Sequence, residues 1–127
     1  MRAKAATVII VFALLAALSV TEQIAVRRMT DDALGQTAQI LSDISAGDMD
    51  AAIKKAHALD QAWDKNAKLL EMLVDHGSTD DVRYALSRLI AALEGENHAS
   101  AMIYAGELEG SVEYVFERQA VSLENLL

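Results

Sequence analysis

His57, His76 and His98 are the only imidazoles in this 127-residue chain, and it contains no Cys. With the carboxylates, they are therefore the side chains that could ligate a transition metal or move a proton near neutral pH. Their spacing argues against both roles. Asp75 and His76 are adjacent, and neighbours on a helix point in different directions, so they make a poor dyad. His57 and Asp60 are three apart and share a helix face, yet two ligands do not make a metal site. The sequence holds no His-Glu-x-x-His, no Gly-x-Ser-x-Gly and no Gly-rich phosphate loop. Glu107, Glu109, Glu113 and Glu117 form an acidic edge with Arg118 as the nearest opposing charge. No loop draws these carboxylates into the convergent cage that Ca²⁺ requires. The expectation is a chain with no catalytic residue, cofactor or metal, which works by binding and not by turnover. Its candidate interaction surface is Asp75, His76 and Asp80, together with Glu109 and Glu113 on the acidic edge.

Charge narrows the partners. All 19 acidic residues and nine of the 11 basic ones follow residue 20, so that part carries a net −10. Binding a phosphate backbone needs a basic stripe that releases counterions, and Arg27-Arg28 and Lys54-Lys55 are the densest basic runs present, so nucleic acid is not an expected partner. Three scattered tyrosines, Tyr84, Tyr104 and Tyr114, give no base-stacking platform.

The elements that must carry these residues are helical. The chain has no Pro, six Gly, 53% hydrophobic residues and 5% aromatic residues, a composition poor in strand formers. The densest apolar stripe lies in residues 61–76 around the single Trp, with Trp63, Ala67, Leu70 and Leu73/Val74 on one side and Asp64, Lys65, Lys68, Glu71 and Asp75 mostly on the other. Met49, Ala52, Ile53, Ala56 and Leu59 extend it N-terminally into a spine helix that begins at the cap Asp48 and ends at His76-Gly77. A preceding stripe, Met29, Ala33/Leu34, Thr37/Ala38, Ile40/Leu41 and Ile44, stops at Ala46-Gly47, where Gly suits the left-handed C-cap. Ser78 and Asp81 stand at capping-box spacing before a third helix striped by Val82, Ala85/Leu86, Leu89/Ile90 and Leu93 and stopped at Gly95. Asn97 caps a fourth, with Ala101/Met102, Ala105, Leu108, Val112 and Val115/Phe116 facing inward. Residues 121–127 add a possible final turn. The core is expected around Trp63, Leu70, Leu89 and Leu108.

Residues 5–20 carry no charge and follow Arg2 and Lys4. Sixteen residues cover roughly 24 Å as a helix, short of the ~30 Å hydrocarbon core, though Lys4 can snorkel. The segment reads as a membrane anchor, because no helix breaker follows and the chain can continue as helix into the soluble part. The alternative is a signal peptide cleaved near Ala17-Leu18-Ser19, releasing a small-ligand or metal binder. Arg2 and Lys4 favour an N-terminus inside, weakened by Arg27 and Arg28 on the far side. The expected organisation is thus an anchor or signal over residues 1–21 and a helical domain over 22–127. That domain would lie outside the cytoplasm on a single-pass tether in the cell membrane, with a membrane protein as possible partner. The fold class is all-α: an N-terminal membrane helix followed by an antiparallel four-helix bundle of two helical hairpins.

The two hairpins resemble each other. A shift of 49 positions lays Ile40, Leu41 and Ile44 on Leu89, Ile90 and Leu93, Asp48 on Asn97, and Ala52, Ile53, Ala56, Leu59 and Asp60 on Ala101, Met102, Ala105, Leu108 and Glu109. Small residues at matched positions let facing helices approach closely, loosely as in tetratricopeptide-like hairpins, although two hairpins make a bundle and not a solenoid.

Trp63-Asp64-Lys65, Leu69-Leu70, Val74-Asp75-His76, the acidic restart at Asp80-Asp81 and the closing Ser122-Leu123-Glu124-Asn125-Leu126 give the chain a further likeness. With the turn Gly47-Asp48, they resemble a bacterial family catalogued as domain of unknown function 4363, nearly end to end. The resemblance implies a short single-pass membrane protein with a helical remainder and no assigned activity or ligand. This chain departs from the family's pattern in its Ala richness and in Gly77 after the His, where a charged residue is usual.

Overall fold

Apolar side chains recurring every three or four positions, with no Pro to interrupt them, give helix almost throughout. The computed structural model describes residues 1–73 and 76–126, with side chains for 1–71 and 77–118. Among these residues the chain forms four helices, α1 (Arg2–Ser45), α2 (Met49–Leu73), α3 (His76–Glu94) and α4 (His98–Leu126). The apolar leader and the first amphipathic stripe are one helix of 44 residues, roughly 66 Å long at 1.5 Å per residue.

Each helix buries one seam. In α1 it is Val26, Thr30, Ala33, Thr37, Ile40 and Ile44; in α2 it is Ala52, Ala56, Leu59, Trp63, Ala67 and Leu70. In α3 it is Val82, Ala85, Leu86, Leu89, Ala92 and Leu93, and in α4 it is Ala101, Ala105, Leu108, Val112 and Val115. The alternating steps of four and three along α1 and α4 are those of left-handed bundle packing. α1 packs on α2 and α4, and α3 packs on α2 and α4, so the helices close into a ring in chain order with every neighbour antiparallel. Two hairpins face each other, and the expected all-α four-helix bundle is what the chain forms. Thr30 and Thr37 are buried in this apolar seam because each hydroxyl donates to a carbonyl of its own helix, Val26 O at 3.0 Å and Ala33 O at 2.7 Å.

The 49-residue repeat extends to the turns. Asp48 N donates to Asp43 O at 2.8 Å and Gly47 N to Ile44 O at 3.0 Å. At the equivalent place Asn97 N donates to Ala92 O at 2.9 Å and Glu96 N to Leu93 O at 3.1 Å. Both are Schellman closures. Each is followed by a side-chain cap, Ala51 N to Asp48 Oδ1 at 3.2 Å and Ser100 N to Asn97 Oδ1 at 3.1 Å. The left-handed residue is Gly47 (φ 78°) in the first turn and Glu96 (φ 55°) in the second. Gly95 ends α3 as expected but stands one position before the residue that needs a glycine's freedom. Its place is tight as well, since a Cβ there would lie 3.3 Å from Ala91 O.

Three expectations are corrected. The spine helix α2 ends at Leu73 and not at His76-Gly77, two residues that instead open α3. Ser78 does not cap α3: the helix starts at His76, and Ser78 and Thr79 are buried inside its first turns, with Ser78 Oγ lacking a hydrogen-bond partner. Phe116 does not face inward; Val115 takes the seam position, and Phe116 lies on the outside, 37% exposed. A residue one position along a helix is turned by roughly 100°, so only one of an adjacent apolar pair can occupy a narrow seam.

Trp63 is 2% exposed, and its indole N–H reaches Thr79 O at a long 3.4 Å. It is the bulkiest side chain in the core and spans α2 to α3. Trp63→Ala is expected to cost roughly 3–5 kcal/mol, read by thermal or denaturant unfolding followed by circular dichroism. Glu96→Gly is expected to stabilise by roughly 1 kcal/mol, because a left-handed residue with a side chain is strained and Gly is not. An unchanged or lowered midpoint for Glu96→Gly would contradict the turn geometry.

Candidate functional site

Several of the polar side chains that sequence singled out are occupied in holding the ring together. Lys55 Nζ lies 2.7 Å from Asp43 Oδ2 across α1 and α2, as an ion pair rather than an aligned hydrogen bond. Arg83 meets Asp64 at 3.3 Å and His57 meets Glu94 at 3.4 Å across α2 and α3, and Arg88 meets Glu107 at 3.6 Å across α3 and α4. Pairs this exposed are worth about 0–1 kcal/mol each, so they set register more than stability.

The fourth seam, between α1 and α4, is closed differently. His98 Nε2 lies 2.9 Å from Ile44 O, donating to a last-turn carbonyl of α1 where cationic or N–H groups are favoured. At the opposite end the Arg27 guanidinium sits 5.7 Å from the centroid of Phe116, and Arg118 sits 5.5 Å from that of Tyr114. The His98 and Arg27 contacts join α1 to α4 across 54 and 89 positions, where no local pattern marks them, whereas Arg118 and Tyr114 are four apart on α4 itself.

Of the expected interaction residues, Asp75 lies outside the described residues, as does the side chain of His76, whose backbone opens α3. Asp80 is half-buried on α3; Glu109 is half-buried and Glu113 exposed on α4. Among the described residues no three His, Asp or Glu gather closely enough to hold a metal ion. The acidic edge is divided. Glu107 and Glu109 are two positions apart, turned by roughly 200°, and Glu107 faces Arg88 on α3. His57 meets Glu94 and not Asp60.

A shallow outer groove of about 400 Å³ lies between α3 and α4, lined by Asp81, Arg88, Glu107, Gly110, Ser111 and Tyr114. Sequence spacing did not reveal it, because its residues come from two helices whose pairing the tertiary fold sets. Gly110 leaves α4 bare there, and a Cβ at it, or at Gly106 one turn earlier, would meet nothing within 4 Å.

The largest unmatched surface is apolar. Val8, Ile9, Ile10, Val11, Phe12, Leu14, Leu15, Leu18 and Val20 of α1 are each about half exposed or more. This part of α1 is long and apolar enough to cross a membrane by length and composition, and none of its most apolar window is buried within the protein. Such an area far exceeds what a folded domain leaves to water. Only about a turn and a half separates its end at Val20 from the first fully buried residue of the bundle, Val26.

The two exposed glycines of α4 generate a prediction. Gly106→Ala and Gly110→Ala should each raise bundle stability by roughly 1 kcal/mol, since Ala gains helix propensity and meets no neighbour. Thermal unfolding of the two variants checks this, and destabilisation by either would show that the outer face of α4 is more crowded than described.

In comparison with known proteins, residues 20–126 match the family described as Domain of unknown function (DUF4363). The match begins where the apolar leader ends. No curated protein and no solved structure matches the chain.

Proposed function

The chain belongs to the DUF4363 family, and on that premise we propose that it is a membrane-tethered helical bundle held outside the cytoplasm, acting as a non-catalytic interaction module. The observation that carries this reading is the undivided α1. One half of the helix is apolar on every side and uncovered, whereas the other half supplies a quarter of the bundle's core. A helix apolar all round is stable in lipid, and a helix with one narrow seam is stable in a bundle. Joining them without a breaker gives a rigid stalk, which favours an anchor over a cleaved leader. Arg2 and Lys4 precede the span with no acidic residue before Glu22, while Arg27 beyond it has Asp31 at 4.0 Å. Arg2 and Lys4 stand directly against the span, whereas Arg27 and Arg28 begin about two turns beyond its end at Val20, which favours an N-terminus inside and a bundle outside.

Binding is favoured over turnover because His57, His98, Asp64 and Glu107 are engaged in interhelix contacts and Asp48 and Asn97 in caps. The surfaces left for a partner are the α3–α4 groove and the half-buried or exposed acids Asp80, Glu109 and Glu113. A membrane protein is the fitting partner, since the bundle starts so close to the span that its reach is confined to the bilayer surface.

Intact cells expressing the chain with a C-terminal tag, treated with external protease and then lysed for alkaline carbonate extraction, test this proposal. The expected result is loss of the tag while the N-terminal fragment stays with the membrane. Retention of the tag would reverse the orientation. A carbonate-soluble chain beginning near Val20 would replace the anchor with a cleaved leader.

A further inference from the structure

α1 and α4 run level with each other, and that fixes how far α4 reaches. His98 meets Ile44 at one end and Arg27 meets Phe116 at the other. Between those contacts α1 covers 17 residues and α4 covers 18, so the two helices advance together almost residue for residue. Past Phe116, α4 continues as helix for ten residues to Leu126, roughly 15 Å further. Its end therefore stands level with Ala17 of α1, and Leu123 stands level with Val20. Both α1 positions belong to the bare apolar leader.

The exposure pattern of α1 agrees independently. Below the bundle Ser19, Glu22 and Ala25 are partly covered, while Leu18, Val20, Thr21, Gln23 and Ile24 are exposed. Steps of three place the covered residues on the side that carries Val26 and Met29. The packed side of α1 thus extends to the level that α4 reaches. The sequence of α4 changes character over the same turns: from the exposed Phe116, apolar residues recur at Ala120 and Leu123, spaced four and three. Glu117, Glu124 and Asn125 interrupt them, which suits a segment lying at an interface and not one that spans.

We infer that the C-terminal turns of α4 enter the membrane interface beside α1, so that the chain meets the bilayer through two helix segments. The occupant of this end of the molecule is lipid. This rests on the reading that α1 spans the membrane. Arg27 and Arg118, each stacked on an aromatic ring, then stand about 10 Å and about 7 Å above the level of Val20, at headgroup depth, where Arg pairs with phosphate and aromatic side chains are favoured. Docking at two points would hold the bundle at a set tilt and keep the same helix faces turned toward a membrane partner.

The absence of Cys permits a direct test on the full chain. Single-cysteine variants Val11→Cys, Leu123→Cys and Ile103→Cys are spin-labelled and reconstituted in phosphatidylcholine–phosphatidylglycerol vesicles. Collision with oxygen is then compared with collision with a water-soluble nickel chelate. Ile103 is exposed on α4 far from the span and serves as the aqueous reference. The inference expects the oxygen-to-nickel ratio at Leu123 to approach that at Val11 and exceed that at Ile103 several-fold. A lipid-like Val11 with Leu123 equal to Ile103 overturns the inference and leaves the anchor standing. An aqueous Val11 overturns the anchor itself and the inference with it. Should Leu123→Cys lose helical signal, the label at Leu126→Cys decides by the same ratio.

Discussion

The structure depends on one helix that carries two kinds of surface. α1 carries a leader that is apolar on every side and then offers a single apolar seam to two other helices, α2 and α4. An uninterrupted hydrogen-bonded helix meets both demands, since its backbone groups are paired along the axis whatever surrounds the side chains. What changes along α1 is only the width of the apolar surface: all round as far as Val20, then one seam from Val26. The short passage between them leaves no hinge, so the bundle's place relative to the apolar leader follows from helix geometry.

Small residues set how the other helices meet that seam. Ala33, Ala52, Ala56, Ala67, Ala85, Ala92, Ala101 and Ala105 line the interior, and Ala at a seam allows close backbone approach. A core so rich in Ala gains little from each side chain, which concentrates the burial energy in Trp63, Ile40, Ile44 and the leucines of α2, α3 and α4. Trp63 has a further task, because it joins α2 to the buried first turns of α3 next to the connection between them.

The two hairpins repeat in their interior and differ on their surface. Ala33, Thr37, Ile40, Ile44, Ala52, Ala56, Leu59 and Trp63 are buried, and so are their equivalents Val82, Leu86, Leu89, Leu93, Ala101, Ala105, Leu108 and Val112. A ring in which α1 takes the part of α3 and α2 that of α4 is consistent with that pattern. The ion pairs do not follow it: Asp43 with Lys55 corresponds to Ala92 with Tyr104. Packing constrains the interior of both hairpins in the same way, whereas solvated faces are free to diverge. The second turn keeps the first turn's hydrogen bonds with Glu96 in place of Gly47, which shows that the closure tolerates a strained residue when the flanking caps and packing hold it.

By itself the sequence determined the all-helical class, most seam residues of each helix though not Val26 and Thr30 of α1, the caps Asp48 and Asn97, the uncharged leader and the family likeness. These follow from periodicity, capping chemistry and composition, all properties of neighbours along the chain. Only the tertiary structure decided that Ser78 is interior and Phe116 exterior, that His98 closes α1, that Arg27 rests on Phe116, and that α3 and α4 share a groove. A one-position choice on a helix face is settled by which neighbour occupies the seam, and contacts between residues 54 and 89 positions apart exist only after the ring closes. The height to which α4 reaches along α1 belongs to the same class, because it is a distance between two helices and no stretch of either contains it.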